Sequence, residues 1–173
     1  MGDTFTTYDG SEYEVLERPA GPTDPLVMRF RLLDHCGAPP PHIHPHAREV
    51  FEVEEGSFEL QLEGAWQTVS PGEAVTVEPG QSHTFRNHSG ETVVVRNVHD
   101  PHHDFETYLR RIAGISHEYK AMGPSGPRPV LAMARLWQEH TDLIQPSPLP
   151  LKLAFPVLGL LARLTGTSAP SAS

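Results

Sequence analysis

His42 and His44 stand two residues apart in the run 37–56, GAPPPHIHPHAREVFEVEEG, with Glu49 five residues beyond them. About sixteen residues further on, a second run, 72–87, GEAVTVEPGQSHTFRN, carries His83. Imidazole and carboxylate are the donors that divalent transition metals accept, and three neutral imidazoles with one carboxylate leave room at the ion for water or a substrate. Side chains two apart on a strand project from one face, so His42 and His44 aim at a common point if that stretch is extended. His46 offers a second pair at the same spacing and is the main competitor, although Pro45 disturbs a ladder there. His88, His99, His102 and His103 read as outward or loop positions, which matters because the chain has 11 histidines and chance pairs must be discounted.

These side chains need strands to position them, and the sequence supplies the pattern. Residues 26–33, LVMRFRLL, alternate, with Met28, Phe30 and Leu32 on one face and Arg29 and Arg31 on the solvated one. Residues 57–62 alternate through Phe58, Leu60 and Leu62, and 73–78 through Val75 and Val77. Residues 91–99 read as a further strand, and a weaker leading strand lies around Tyr13 and Val15. Gly and Pro turns separate them; Gly56, Gly72 and Gly80 fall where positive φ or close chain approach is needed. Seven or eight short strands in under 100 residues point to an all-β sandwich or barrel. Phe51, Val53 and Phe85 share the parity of the metal-type residues, and with Met28 and Phe30 they predict a mostly apolar substrate pocket.

After Asp100 the pattern turns helical. Asp104 is placed to cap a helix carrying Phe105, Tyr108, Leu109 and Ile112; a Gly/Pro loop, 123–129, leads to a second with Val130, Leu131, Ala134 and Trp137. Both are expected to pack on the outside of the β domain or across a subunit boundary. The apolar segment 149–164 holds an uncharged run of only ten residues, 153–162, against the roughly 20 needed to span a bilayer. It reads first as buried packing or an oligomer interface and second as an interfacial membrane helix, so membrane association is not the expected outcome. The expected organisation is therefore a β domain over 1–103, a helical extension over 104–165 and a disordered tail over 166–173.

The two runs read G-x4-H-x-H-x4-E-x6-G and G-x7-G-x2-H-x3-N. The pair resembles the cupin superfamily over about residues 26–99, with Gly37 one residue closer to His42 than is usual and Glu78 where a proline is typical. The resemblance implies a jelly-roll β-barrel (a double-stranded β-helix) followed here by two or three C-terminal helices. It also implies that His42, His44, Glu49 and His83 are the ligands of one divalent transition metal: Fe, Mn, Ni, Co or Zn. Glu49 could double as a catalytic base. The implied function is a metal-dependent enzyme of oxygenase type acting on a small, largely apolar metabolite. The alternatives are a non-catalytic small-molecule binder and a metal-dependent isomerase or lyase.

A net charge of −9 with 13 Lys and Arg and no basic run excludes a nucleic-acid surface. A single cysteine, Cys36, excludes an intramolecular disulfide framework and reads as a small buried side chain rather than a nucleophile. With no secretory pattern at the amino terminus, the expected location is cytoplasmic. A homodimer is the expected assembly, because barrel edges and the apolar segment both invite pairing.

Overall fold

A computed structural model of the chain describes residues 3–36, 39–120, 126–147 and 149–171. Gly37 of the first run and Gly123 of the interhelical loop lie outside them. Ten strands come first: β1 Asp3–Thr6, β2 Glu12–Glu17, β3 Leu26–Leu32, β4 His42–Ile43, β5 Arg48–Glu55, β6 Phe58–Leu62, β7 Ala65–Val69, β8 Ala74–Val77, β9 His83–Arg86 and β10 Val93–Asp100. Then follow α1 Phe105–Tyr119, α2 Pro127–Glu139, a short β11 Gln145–Pro146 and α3 Leu149–Leu164.

The strands form two facing antiparallel sheets, β1-β2-β3-β10-β5-β8 and β11-β4-β9-β6-β7, the sandwich of a jelly roll. Alternation explains the burial. Met28, Phe30 and Leu32 on β3, Phe51 and Val53 on β5, and Phe58 and Leu60 on β6 are all buried between the sheets. On the outer face Arg29 is tied to Glu14 at 3.0 Å and Glu54 at 2.8 Å, while Arg31 is exposed.

Gly56, Gly72 and Gly80 all have positive φ. Only Gly56 combines this with a close approach: a Cβ there would lie 2.9 Å from the Thr92 carbonyl oxygen. Gly56→Ala is expected to cost about 1–3 kcal/mol, a drop of roughly 2–12 °C in thermal midpoint by calorimetry. An unchanged midpoint would contradict this account of the turn. Cys36 is buried, and burial pushes its thiol up to about 11, so it is a protonated packing group at neutral pH.

The helices differ from expectation in two ways. Asp104 precedes α1 in the left-handed region, φ 65°, and makes no capping hydrogen bond, because a side chain reaches the first amides only from an extended backbone. More consequentially, α1, α2 and α3 roof one end of the sandwich, and the α2–α3 connection returns as β11 to pair with β4, Gln145 opposite Ile43 and Pro146 opposite His42. Pro156 lies inside α3. There Gln138 Nε2 of α2 donates to the Pro156 carbonyl at 3.0 Å, and Gly159 permits the close packing of the two helices. The segment expected to be a disordered tail is described as far as Ser171 and lies against α1: Ala169 is buried and the Pro170 carbonyl accepts from Arg111 Nε at 3.2 Å. Among the described residues no helix is long and apolar enough to cross a membrane.

Candidate metal centre

His42 begins β4, His44 follows it, Glu49 is on β5 and His83 opens β9, where its backbone pairs with His42. The Gly80 amide donates to the His44 carbonyl at 2.9 Å and fastens the second run to the first. All four side chains are buried, and their ligand atoms lie within 4.8 Å of one another.

The hydrogen bonds around the rings orient them. Nδ1 of His42 meets the Pro40 carbonyl at 2.9 Å, Nδ1 of His44 the Leu143 carbonyl at 2.7 Å, and Nδ1 of His83 the Gln81 carbonyl at 3.3 Å. Donation to these carbonyls puts the proton on Nδ1 and leaves a lone pair on each Nε2. Glu49 Oε1 accepts from Asn97 Nδ2 at 2.8 Å, and its Oε2 sits 3.0 Å from His83 Nε2 and 3.3 Å from His44 Nε2. His44 Nε2 is buried without a hydrogen-bond partner. Three lone pairs and a carboxylate converging in a buried space are acceptors facing acceptors, and a cation satisfies them all. The donor set fits a divalent transition metal.

Electrostatics agree. Burial holds the His42 imidazole well below its ordinary range, and neighbouring His83 and His44 add to this, so it stays neutral. Without a cation the facing rings must instead turn a proton toward Glu49: burial alone would raise its carboxyl, but hydrogen bonds and charge from His44 and His83 outweigh burial and hold it well below the usual carboxylate range.

His42 and Glu49 stand on the wall of a cavity of about 310 Å³ enclosed between the sandwich and the helices. Its lining is almost wholly apolar: Phe30 and Phe85 from the strands, Phe105 and Tyr108 from α1, Trp137 from α2 and Phe155 from α3. Of the residues expected to form the pocket, Phe30 and Phe85 line it, while Met28, Phe51 and Val53 are buried in the core away from its wall. The Trp137 ring lies 6.4 Å from that of His42, centroid to centroid, and 4.7 Å from that of Phe155.

His99 corrects the sequence reading. It is on β10, fully buried, with its ring perpendicular to His44 at 4.5 Å and stacked on Phe105 at 4.0 Å. Burial lowers its pKa to about 3. The signal was present in the alternation: Val93, Val95, Asn97 and His99 share one parity, and Asn97 is the residue that holds Glu49. His46 and His88 are exposed, and His102 and His103 lie in the half-buried connection to α1. None of these four joins the cluster. Asn87 is also buried, donating to the Leu32 and Glu91 carbonyls at 3.0 and 2.7 Å, so it braces a turn.

Asn97→Ala removes the donor that orients Glu49 and is expected to weaken metal binding by about 10–100-fold, the usual effect of losing a hydrogen bond behind a ligand. Titration calorimetry would measure it; affinity equal to that of the parent protein would show that Glu49 needs no brace.

Residues 29–99 match the family model described as "Cupin domain". Among solved structures, KdgF from Halomonas sp. superposes with a TM-score of 0.53 at 20% identity, over 60% of this chain and 92% of its own. An RmlC-like cupin from Shewanella frigidimarina NCIMB 400 does so with a TM-score of 0.50 at 15% identity, over 58% of this chain and 84% of its own. At such identities the likeness speaks for the fold alone. No curated protein matches the chain. The matched segment covers β4, β5 and β9 with all four clustered side chains and stops just before α1. Residues 29–99 are a cupin domain, and three helices follow it in the chain.

Proposed function

We propose that the protein is a metal-dependent enzyme of oxygenase type acting on a small, largely apolar metabolite. One observation supports this above the others: His42 and Glu49 are at once members of the buried four-residue cluster and part of the wall of an aromatic cavity. A divalent transition metal held by His42, His44, Glu49 and His83, with iron, manganese, nickel, cobalt and zinc all suited to the donors, would supply Lewis-acid or redox chemistry beside that cavity.

The chain's own groups define the rest. Among the described residues Glu49 is the only carboxylate on the wall, it stays ionised, and Asn97 fixes one of its oxygens, so it is the group placed to take a proton from a bound molecule. The aromatic lining excludes water and offers no cationic side chain for a phosphate or sugar nucleotide, which selects an aromatic or aliphatic body with few charges.

The test is oxygen uptake by protein reconstituted with Fe(II) or Mn(II), over a panel of aromatic, enol and diketone compounds. Consumption with any member supports the proposal, and silence with every metal and compound overturns it. Turnover without oxygen would move the reading to an isomerase or lyase, and tight binding without turnover to a binding protein.

A further inference from the structure

Among the described residues the outer face of α3 has no partner. Leu149, Leu153, Val157, Leu160, Leu161 and Leu164 are 44–75% exposed, and they make up six of the nine exposed large hydrophobic side chains among the described residues. At about 100° per residue they fall within an arc of roughly 120°. Lys152 and Arg163 lie together along one edge of that arc. The opposite face of the same helix, through Leu151, Phe155 and Leu158, is a wall of the cavity. The helix is thus apolar on two sides, one turned to the cavity and the other to the surroundings.

Two observations choose what covers the outer side. The first is charge. From residue 145 to 173, Lys152 and Arg163 are the only charged side chains, in a chain whose net charge is −9. Pairing two copies of α3 antiparallel across a two-fold axis would bring four cations together with no carboxylate on either helix, whereas an anionic surface complements them. The second is area. From the exposures, the patch amounts to on the order of 600 Å² of apolar surface, at the upper end for a monomer's largest patch and short of the about 800 Å² per partner of a standard protein interface. A helix of 16 residues is about 24 Å long and cannot span a bilayer, but it can lie in the interface with its leucines down and its cations at headgroup level.

We infer that α3 docks the protein on an anionic lipid surface. The cavity then lies behind the docked helix. The docking itself stands on α3 alone and does not depend on the enzymatic reading.

The experiment is flotation of the full chain with vesicles of phosphatidylcholine alone and with a third of phosphatidylglycerol. The parent protein is expected to float with the anionic vesicles. Lys152→Gln with Arg163→Gln is expected to weaken binding about 25-fold, from about fivefold per cation, and Leu153→Ser with Leu160→Ser at least tenfold, both with unchanged circular dichroism. Because the two pairs remove different interactions, misfolding of one leaves the other as the test. Absence of flotation overturns the inference, as does equal flotation with the neutral vesicles. A stable dimer in light scattering that Leu153→Ser with Leu160→Ser turns to monomer would overturn it too, showing that a second copy covers the face.

Discussion

Replacing His83 by alanine is expected to weaken binding of a divalent transition metal by more than about 100-fold, read by competition with a chromophoric chelator near neutral pH. Four protein donors in a structural zinc site are worth about 10–16 kcal/mol, so by that measure one donor carries about 3 kcal/mol, and each 1.36 kcal/mol is a factor of ten. The loss has a second component in this protein, because His83 Nε2 is the nearest ring atom to Glu49 Oε2, at 3.0 Å. Removing the ring loosens the carboxylate as well. The fold is expected to survive, since the His83 ring meets the core edge-on at Phe51, 6.2 Å between centroids, and the packing of Phe51, Phe58 and Leu60 against one another is kept. His46→Ala is the matching control: His46 is exposed and outside the cluster, so its loss is expected to leave affinity unaltered. Parent-like affinity in His83→Ala, or a fall in His46→Ala, would mean that the ligand set is wrong.

Trp137→Ala is expected to be the most damaging single change outside the strands. The side chain is 3% exposed and packs between His42 and Phe155, and deleting a buried Trp costs about 3–5 kcal/mol. For a chain of this size that is a fall of roughly 6–20 °C in thermal midpoint. The damage is expected to reach the metal as well. Trp137 anchors α2 just ahead of Leu143, whose carbonyl accepts from His44, so metal affinity is expected to drop by about tenfold or more. Trp137→Phe, which keeps most of the packing, is expected to recover most of both. If Trp137→Ala lost stability yet bound metal as the parent does, the helical roof would be independent of the centre.

The strands were legible because alternation is a local signal. Met28, Phe30 and Leu32 announce their face within seven residues, and the two-residue step from His42 to His44 announces theirs. Parity specifies a face but not a depth, and this is why Met28, Phe51 and Val53, inward as expected, sit in the core while Phe30 and Phe85 reach the cavity. The contribution of the extension was not legible. His44 is oriented by a main-chain carbonyl at Leu143, and every residue type has such a carbonyl, so no side-chain pattern marks it. Helical periodicity placed Trp137 on an apolar stripe without revealing that the stripe faces a metal-type cluster. His99 could have been found, since it continues the parity of Asn97, but its neighbours in HDPHH suggested a loop.

The Leu143–His44 hydrogen bond joins residues 99 apart, and β11 reaches β4 across a similar interval. Seen as an order of events during synthesis, this divides the protein in time. Every strand of the sandwich except β11 has been made once Asp100 has emerged, and the stretch from Asp100 to Pro146 takes roughly 2–9 s more at about 5–20 residues per second. Through that interval the cupin domain can close with His44 lacking its acceptor and the cavity lacking its roof. High-affinity metal capture is therefore a late step, reserved for chains made well past the domain. In refolding, metal capture is expected to trail the recovery of β-sheet circular dichroism; simultaneous recovery would contradict that order. A nascent chain that stops at the end of its cupin domain would hold all four ligands and still be a weak competitor for the metal.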